Sequence, residues 1–351
     1  MNNKLWNEEH LYTTLIDSQI TRVERLRTGN SSVLISEFGG RVVGLFPSTD
    51  LPNTLFVHPD IVNQIKNRDW CLGGERQWIA PQQDYFFTNP ESFDGFLVQD
   101  SVDPGTYKKA TDFEYIKNFS IYNYITRQTI DNCTSRRTFS PVQKDPFDSG
   151  IAFAGVSIFD SLLIPGSSNH YSAWSITMVA TCGTSRPGTI FFPSRNPSKV
   201  TPYFSPLPSS RFATHVDYAR FLIDSKDPFK CATEPDGTDW ENPVKIVYCA
   251  PFDKSDIWYC VVKVSHDLPK TQDECVDIPA GGRDGKKGAI QGYNHGYGST
   301  LLYGEIELQF TKGDATHPSH GKHDLLSYCG SKNEIFELLK VLLRTDDVMV
   351  Y

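Results

Sequence analysis

The sequence predicts an all-β protein built from two large antiparallel sheets packed face to face, with a short helix near each end. Three observations support this fold class. The 22 prolines and 25 glycines among 351 residues interrupt the chain too often for long helices. Short apolar runs follow one another too closely for crossover helices to separate them, which favours antiparallel pairing. Hydrophobic residues make up 39% of the chain and aromatic residues 13%, enough for one extended core.

The first elements are a helix and a three-stranded meander. Leu11 and Leu15 recur at helical spacing beside Tyr12 and Ile16, which predicts a helix over about residues 7–16. After this helix, apolar and polar residues alternate in runs that are separated by glycine-containing turns. The meander strands are predicted at residues 21–27, 32–38 and 41–46.

The rest of the chain repeats the same pattern of short strands and ends in a second helix. Further strands are predicted at residues 119–128, 151–159, 172–180, 189–193, 245–250, 257–264 and 301–310. A terminal helix is predicted at about residues 332–344, because Ser331 and Glu334 fit a capping box and leucines follow at helical spacing. No shift in composition divides the chain, so we expect residues 1–351 to form a single domain.

Charge and motif content disfavour several classes of function. The net charge is −8 and the pI is about 5.6, which argues against nucleic acid and against anionic membranes as partners. The first residues lack a secretory signal and no apolar run is long enough to cross a bilayer, so we expect a cytoplasmic protein. The eight cysteines form no C-x-x-C pair and no nucleotide-binding motif occurs, so the sequence predicts no cofactor. The sequence does not determine the oligomeric state, and a homodimer is one of the states that it allows.

Residues 70–87 combine polar and aromatic side chains more densely than other segments. Flat aromatic faces pack on sugar rings, and guanidinium and amide groups bond sugar hydroxyls, so this composition is typical of a carbohydrate site. The alternative is a buried β-hairpin whose arginine pairs with one carboxylate. The candidate substrate-binding residues of this segment are Arg76, Trp78, Gln82, Gln83 and Tyr85.

A second candidate segment runs from residue 290 to residue 310. In the strand predicted for its last part, Glu305 and Glu307 share one face, while Ile306 and Leu308 share the other. Two carboxylates this close repel each other, which in a partly dry cleft raises the pKa of one and suits it to proton transfer. A solvent-facing strand is the alternative. Further candidates in the segment are Tyr293, Asn294 and His295.

The middle of the chain offers two weaker candidates. His170 and Trp174 lie at the start of a predicted strand whose first residues are polar and aromatic. His170 is there a candidate acid and equally a candidate surface residue. Arg136 and Arg137 could give an anionic substrate a partner, although a surface pair is the commoner explanation.

Three histidines spaced by three residues are weak candidates for metal ligands. On a helix His317, His320 and His323 would lie on one face, but Pro318 and Gly321 favour a loop. No acidic residue within this segment completes a ligand set. The metal content therefore stays open at this stage.

Three segments of the sequence together form a recognisable pattern. They are Gly39-Gly40-Arg41-Val42, Gly73-Gly74-Glu75-Arg76-Gln77-Trp78-Ile79-Ala80-Pro81, and Gln291-Gly292-Tyr293-Asn294 leading to Tyr303-Gly304-Glu305-Ile306-Glu307. In these segments the sequence resembles the galactose mutarotase-like (aldose 1-epimerase) superfamily. The similarity covers residues 33–107 and 286–345 well and the middle loosely, and is closest to poorly characterised members with a G-G-x-R-x-W-x-A-P segment. It implies a β-supersandwich, two large twisted antiparallel sheets whose concave face holds a sugar-binding cleft.

The resemblance also implies a reaction. In aldose epimerases a glutamate takes the proton of the anomeric hydroxyl while a histidine protonates the ring oxygen. Glu307 best matches that glutamate, with Glu305 as the alternative, and Arg76 corresponds to a substrate-contacting arginine. The H-x-Y-F-N-L segment of the family is absent and only echoed at His170, so His170 and His295 are both candidate acids.

The functional prediction is a sugar isomerase of the aldose 1-epimerase type, acting by acid/base proton transfer on a carbohydrate substrate. Two alternatives stay open. One is a lyase, dehydratase or tautomerase that abstracts a proton from a keto or unsaturated sugar. The other is a non-catalytic carbohydrate-binding protein.

Overall fold

The computed structural model consists mainly of β-strands, and the part of the chain that it describes contains four α-helices. It describes residues 5–18, 21–253, 255–279, 282, 285–296 and 298–351. The helices within these ranges are α1 (Glu8–Asp17), α2 (Ile61–Lys66), α3 (Gln82–Phe86) and α4 (Lys332–Leu343). The strands up to residue 163 are β1 (Val23–Thr28), β2 (Ser31–Ser36), β3 (Arg41–Phe46), β4 (Glu75–Ala80), β5 (Phe87–Asn89), β6 (Asp94–Phe96), β7 (Lys108–Thr111), β8 (Glu114–Asn123), β9 (Gln128–Pro141) and β10 (Ala152–Leu163). The later strands are β11 (Ser172–Ala180), β12 (Gly188–Pro193), β13 (Val200–Pro202), β14 (Phe212–Thr214), β15 (Tyr218–Ile223), β16 (Phe229–Thr233), β17 (Val244–Pro251), β18 (Ile257–Ser265), β19 (Ile290–Asn294), β20 (Tyr303–Gln309) and β21 (Ser319–Ser331).

The strands form two large antiparallel sheets, which confirms the predicted fold class. Over the described residues the first sheet has nine strands in the order β1-β2-β3-β4-β11-β20-β19-β16-β13. The second has ten strands in the order β14-β15-β12-β17-β18-β21-β10-β9-β8-β7, and β5 pairs with β6 in a separate hairpin. None of the helices in the described ranges is long and apolar enough to cross a membrane.

The main core lies between the two large sheets. The central strand β11 is buried along nearly its whole length and pairs with β4 on one side and β20 on the other. Ile306 and Leu308 of β20 belong to the same core cluster as Val261 of β18 and Leu325 of β21. Burying one such side chain contributes about 1.5–3 kcal/mol, so the apolar side of β20 is held firmly against the second sheet.

Both terminal helices form close to their predicted positions. In α4, Ser331 Oγ accepts from the Glu334 amide at 3.3 Å, and Glu334 Oε2 accepts from the Ser331 amide at 2.7 Å, which completes the capping box. The apolar stripe of α4 packs on the second sheet. Leu11 and Leu15 of α1 pack on Leu34 and on the neighbouring strand β3 of the first sheet.

The structure corrects two of the predicted boundaries. The run predicted as one strand at 119–128 spans the turn between β8 and β9. The segment around Pro318 was expected to be a loop, yet β21 begins directly after it, at Ser319. Gly321 lies inside this strand because Phe310 packs against its backbone, where an added Cβ would lie 2.2 Å from the ring. The glycine therefore marks a close packing contact and not a turn.

The glycine pair before β4 sets the position of this strand. Gly73 and Gly74 have φ angles of 94° and 75°. A Cβ on either residue would lie 2.2 Å from a backbone carbonyl oxygen, that of Phe56 or of Val42. Only glycine allows this backbone conformation at such close approach. The pair thereby seats β4 between β3 and β11.

Candidate active site

One face of the first sheet carries a row of polar and aromatic side chains. Glu305 and Glu307 of β20 lie on the face opposite Ile306 and Leu308, as predicted. Directly paired residues of antiparallel strands point to the same face of a sheet. Glu305 pairs with Tyr293 of β19. That face therefore continues from β20 onto β19.

The same row extends over the strands on either side. Tyr293 pairs in turn with Lys230 of β16, which places the lysine on this face. On the opposite side, Trp174 of β11 pairs with Trp78 of β4. Arg76 stands two positions before Trp78 in the same strand, so it shares the same face. Five neighbouring strands thus present their side chains to one space.

These side chains line a cavity of about 540 Å³. The β5–β6 hairpin covers one side of it, and Phe96 of this hairpin lies 6.2 Å from the ring of Trp70 and 6.3 Å from that of Trp78. The aromatic lining residues are Trp70, Trp78, Phe87, Phe93, Phe96, Trp174, Phe204, Tyr293 and Tyr303. A mainly aromatic cavity of this size with a few polar groups is typical of a small-molecule site.

Glu307 is a buried carboxylate of this cavity that keeps one oxygen without a partner. Its Oε2 accepts from Trp174 Nε1 at 3.0 Å and lies 2.9 Å from Lys230 Nζ. Its Oε1 has no hydrogen-bond partner among the residues that the structure describes. Burial raises the pKa of Glu307 to about 7, although Lys230 lowers it, and Glu305 raises it further. The carboxyl group therefore exchanges its proton near neutral pH.

Arg76 joins the second carboxylate of the cavity to a buried ionic network. Its Nη2 donates to Glu305 Oε1 at 2.8 Å, and its Nε lies 3.5 Å from Asp103 Oδ2. Asp103 also accepts from Trp78 Nε1 at 2.7 Å and pairs with Arg41. Within the described chain neither Nη1 nor Nε of Arg76 makes a hydrogen bond, although Nε is close enough to Asp103 for an ion pair. Arg76 is thus fixed by its ion pairs and keeps N–H donors without an acceptor.

His295 lies in the cavity wall as a neutral imidazole. Its ring stacks on Tyr303 with 4.1 Å between the centroids and 15° between the planes. The hydroxyl of Tyr293 lies 3.4 Å from its Nδ1. Burial lowers the pKa of His295 below its ordinary value, with Glu305 acting in the opposite direction. The ring is therefore mainly uncharged at pH 7.

The structure brings eight of the twelve sequence-predicted site residues to this cavity. They are Arg76, Trp78, Gln82, Trp174, Tyr293, His295, Glu305 and Glu307. Seven of them come from the two segments that the sequence singled out, which lie more than 200 residues apart, and Trp174 comes from the middle of the chain. Their roles in binding or catalysis stay predictions.

The other four predicted site residues lie outside the cavity lining, and each has a structural reason. The Nδ1 of His170 lies 3.2 Å from the Gly313 carbonyl oxygen. Gln83 donates through Nε2 to the Pro90 carbonyl at 2.5 Å, and Tyr85 is buried in the main core. Asn294 follows Tyr293 in β19, so it points to the opposite face, where it donates to Asp224 Oδ1 at 3.1 Å. The roles predicted for these four residues stay predictions, and their side chains lie apart from the cavity.

The three histidines predicted as weak metal ligands do not form one site. His317 Nδ1 lies 3.1 Å from both carboxylate oxygens of Asp314. His320 and His323 are three positions apart in β21, so they point to opposite faces of the sheet. His320 is exposed, whereas His323 is buried with Nε2 at 3.1 Å from Ser175 Oγ. On a helix the three histidines would lie on one face, whereas the alternation of side chains along β21 places His320 and His323 on opposite faces.

A buried charge cluster lies between the two sheets, behind the cavity. Arg137 Nη2 donates to both carboxylate oxygens of Glu75 at 2.8 Å, and its Nε donates to Asp160 Oδ1 at 2.6 Å. Glu75, Asp160 and His323 also have the spacing of a metal-ligand set over the described residues. Arg137 supplies one positive charge to these carboxylates, and the buried Lys263, which interacts with both, supplies a second. Since Arg137 is fully buried, it is not free to bind an anionic substrate, and Arg136 is a surface residue paired with Glu114.

Sequence reasoning missed several residues in or next to the cavity, and three of them show why. Lys230 stands between Phe229 and Cys231 in β16, and a lone cation in an apolar strand was the available signal. Phe96 belongs to a short hairpin that carries no distinctive pattern. Asp103 lies in an irregular loop, and only the folded chain shows that it binds Arg76.

Comparisons with known proteins agree with this architecture. No model of a known protein family matches the sequence, and no curated protein matches it. Among solved structures, a galactose mutarotase-like protein from Lactobacillus casei ATCC 334 is similar, with a TM-score of 0.50, 8% identity, and coverage of 88% of this chain and 100% of that one. A candidate aldose 1-epimerase from Escherichia coli K12 has a TM-score of 0.48 at 9% identity, and covers 89% of this chain and 99% of its own. A candidate mutarotase from Salmonella typhimurium has a TM-score of 0.44 at 9% identity, with coverage of 89% and 91%. At 8% identity the likeness to the Lactobacillus casei structure concerns the fold alone, and the chain has the galactose mutarotase-like fold.

Proposed function

We propose that this protein binds a sugar in the cavity and catalyses interconversion of its anomers, as an isomerase of the aldose 1-epimerase type. The observation that carries the proposal is the environment of Glu307. One carboxylate oxygen is held by Trp174 and Lys230, and the other is unpartnered among the described residues. A carboxylate with a pKa near 7 in a mainly aromatic cavity is suited to act as a general base.

The proposed reaction is a ring opening followed by closure on the other face. Glu307 Oε1 takes the proton of the anomeric hydroxyl, the bond between C1 and the ring oxygen breaks, and the ring oxygen receives a proton. The open-chain aldehyde then rotates about its C1–C2 bond and closes again by the reverse steps. All atoms of the sugar are retained, and no oxidant or cofactor enters the balance.

The other residues of the cavity hold the sugar in this proposal. The indole rings of Trp78 and Trp174 offer flat faces for the apolar side of a pyranose. The unpartnered Nη1 of Arg76 donates to a sugar oxygen, while Glu305 keeps the guanidinium in place. His295 is the one predicted acid that reaches the cavity, and as a neutral imidazole it serves as a hydrogen-bonding group.

Exchange NMR on a panel of aldohexoses and aldopentoses tests the proposal. The protein is expected to accelerate exchange between the α and β anomeric signals of at least one sugar over the buffer rate. New vinyl signals would show elimination and support the lyase alternative. A sugar that binds, as seen by saturation transfer, without faster exchange would favour a non-catalytic binding protein. Either of these two results contradicts the proposed function.

A further inference from the structure

Lys230 is a buried cation placed directly beside Glu307. It is only 3% exposed, and its side chain lines the cavity. Its Nζ lies 2.9 Å from Glu307 Oε2 and 4.4 Å from the centroid of the Trp174 ring. Taking an ammonium group out of water is unfavourable, so the ion pair and the indole face together hold Lys230 at this place.

The Lys230 ammonium group belongs to a side chain of the cavity lining and has one acceptor, Glu307 Oε2, among the described residues. An ammonium group has three N–H donors, and the carboxylate oxygen of Glu307 takes one of them. A sugar oxygen that approaches Glu307 from the cavity therefore also comes near Lys230. Base and cation lie on the same face of the sheet, on β20 and β16.

Arg76 is the other Lys or Arg side chain among the described residues of the cavity lining. Arginine keeps its proton throughout the accessible pH range, so Arg76 cannot act as an acid. His295 is mainly neutral at pH 7, because burial lowers its pKa. A lysine side chain carries a proton at neutral pH and can transfer it. At this pH Arg76 does not release its proton, and His295 mainly lacks one to give.

The ionisable groups that surround the pair come from several elements. Two of them adjoin it in the sheet, Glu305 on β20 and Tyr293 on β19, and His295 directly follows β19. Further groups around the pair are Arg76, Lys263, Cys231, Tyr203 and Asp277. The charges of Arg76 and Glu305 offset each other, as do those of Lys230 and Glu307.

We propose that Lys230 is the general acid of the reaction and forms a catalytic dyad with Glu307 as base, an inference that rests on the proposed function. Lys230 Nζ gives a proton to the ring oxygen as its bond to C1 breaks. Glu307 Oε1 takes the proton of the anomeric hydroxyl as the C1 carbonyl forms. The dyad then consists of a neutral amine and a carboxylic acid, and ring closure returns both protons to their starting groups.

Three variants of Lys230 test this assignment in the intact protein. Lys230→Met is expected to lower the anomeric exchange rate about 10²-fold to 10⁴-fold, the usual contribution of one general acid. Lys230→Arg keeps the positive charge beside Glu307 but cannot release a proton, so it is expected to bind sugar and lose a similar part of the rate. Lys322→Met, which removes an exposed lysine of β21, is the matched control and should leave the rate unchanged.

Chemical rescue separates an acid from a positioning residue. Methylammonium and ethylammonium added to the Lys230→Ala variant should restore exchange, with a rate that depends on the pKa of the amine. Folding and sugar binding of each variant are checked by circular dichroism and saturation-transfer NMR. A merely structural lysine would show no such dependence.

The outcomes are distinguishable from failure of the proposed function. If the wild type accelerates exchange, but Lys230→Arg retains the rate within about threefold or amines do not rescue Lys230→Ala, the acid assignment is overturned. If the wild type accelerates exchange for no sugar, the proposed function fails and the dyad fails with it. Loss of rate in Lys230→Arg together with amine rescue of Lys230→Ala supports the inference.

Discussion

The indole Nε1 of Trp174 donates a hydrogen bond to Glu307 Oε2 over 3.0 Å, at the centre of the nine-stranded sheet. Two neighbouring strands, β11 and β20, supply the two residues. The hydrogen bond fixes one carboxylate oxygen and favours the ionised form of Glu307. Burial opposes ionisation, and the balance places the pKa at about 7.

The first prediction concerns the pH dependence of the wild type. Glu307 acts as a base only when it is ionised, so kcat/KM should rise with increasing pH through about 7 and then level off. Anomeric exchange measured from pH 5 to pH 8 checks this rise of kcat/KM with pH. A profile that is already flat between pH 5 and pH 6 would contradict the assignment of Glu307 as the base.

In the Trp174→Phe variant, the rise of kcat/KM with pH should occur at higher pH than in the wild type. The phenyl ring retains an aromatic face but lacks the N–H donor, so the ionised carboxylate of Glu307 loses one hydrogen bond. A hydrogen bond to a charged group contributes about 1.5 kcal/mol, which corresponds to about one pH unit. The measurement is the pH profile of kcat/KM.

Trp240→Phe is the matched control for this shift. The Nε1 of Trp240 donates to the Pro235 carbonyl at 3.1 Å, and its ring is absent from the cavity lining. Its pH profile should coincide with that of the wild type. Equal shifts in the two variants would show that the effect of Trp174→Phe does not come from the bond to Glu307.

Phe96→Ala should weaken sugar binding with little effect on folding. The ring is 46% exposed, yet it covers one side of the cavity beside Trp70 and Trp78. An aromatic contact of this kind contributes about 0.5–1.5 kcal/mol, so Kd should rise about threefold to tenfold. Calorimetric titration measures Kd. The control is Phe159→Ala, which removes a ring that is 39% exposed on the second sheet, and a rise in Kd for both variants would contradict a specific role of Phe96.

Arg137→Met should destabilise the protein far more than Arg136→Met. Arg137 is fully buried and forms ion pairs with both Glu75 and Asp160, so its removal leaves these two buried carboxylates with Lys263 as their nearby cation. Breaking such a cluster costs about 3–5 kcal/mol, whereas an exposed substitution such as Arg136→Met changes stability by about 0.5 kcal/mol or less. Urea unfolding followed by tryptophan fluorescence compares the two. Similar losses in both variants would contradict the role of Arg137 as the ion-pair partner of both carboxylates.

The sequence predicts those parts of the fold in which the local residue pattern agrees with the tertiary packing. The alternation of Glu305, Ile306, Glu307 and Leu308 matches a strand with one face in the core, and the structure buries its apolar side between the sheets. The capping box at Ser331 is equally local, because both of its hydrogen bonds lie within one turn of α4. Such signals need no knowledge of distant residues.

The site could be predicted only in part from the sequence, because sheet register and loop packing decide which side chains meet. Lys230 reaches Glu307 only through the pairing of β16 with β19 and of β19 with β20. His170 was favoured by a local motif, yet the chain places its ring beside the Gly313 carbonyl. Asp103 binds Arg76 from a loop that no periodicity marks. Neither composition nor spacing contains this long-range information.

The exchange rate of Glu307→Gln tests the central claim most directly. The amide keeps the size of the side chain but cannot accept the proton of the anomeric hydroxyl, and Glu337→Gln on the exposed face of α4 is the control. The account predicts that Glu307→Gln loses at least about 10²-fold in anomeric exchange while saturation-transfer NMR still detects bound sugar. An unchanged exchange rate in a folded, sugar-binding Glu307→Gln variant would contradict it.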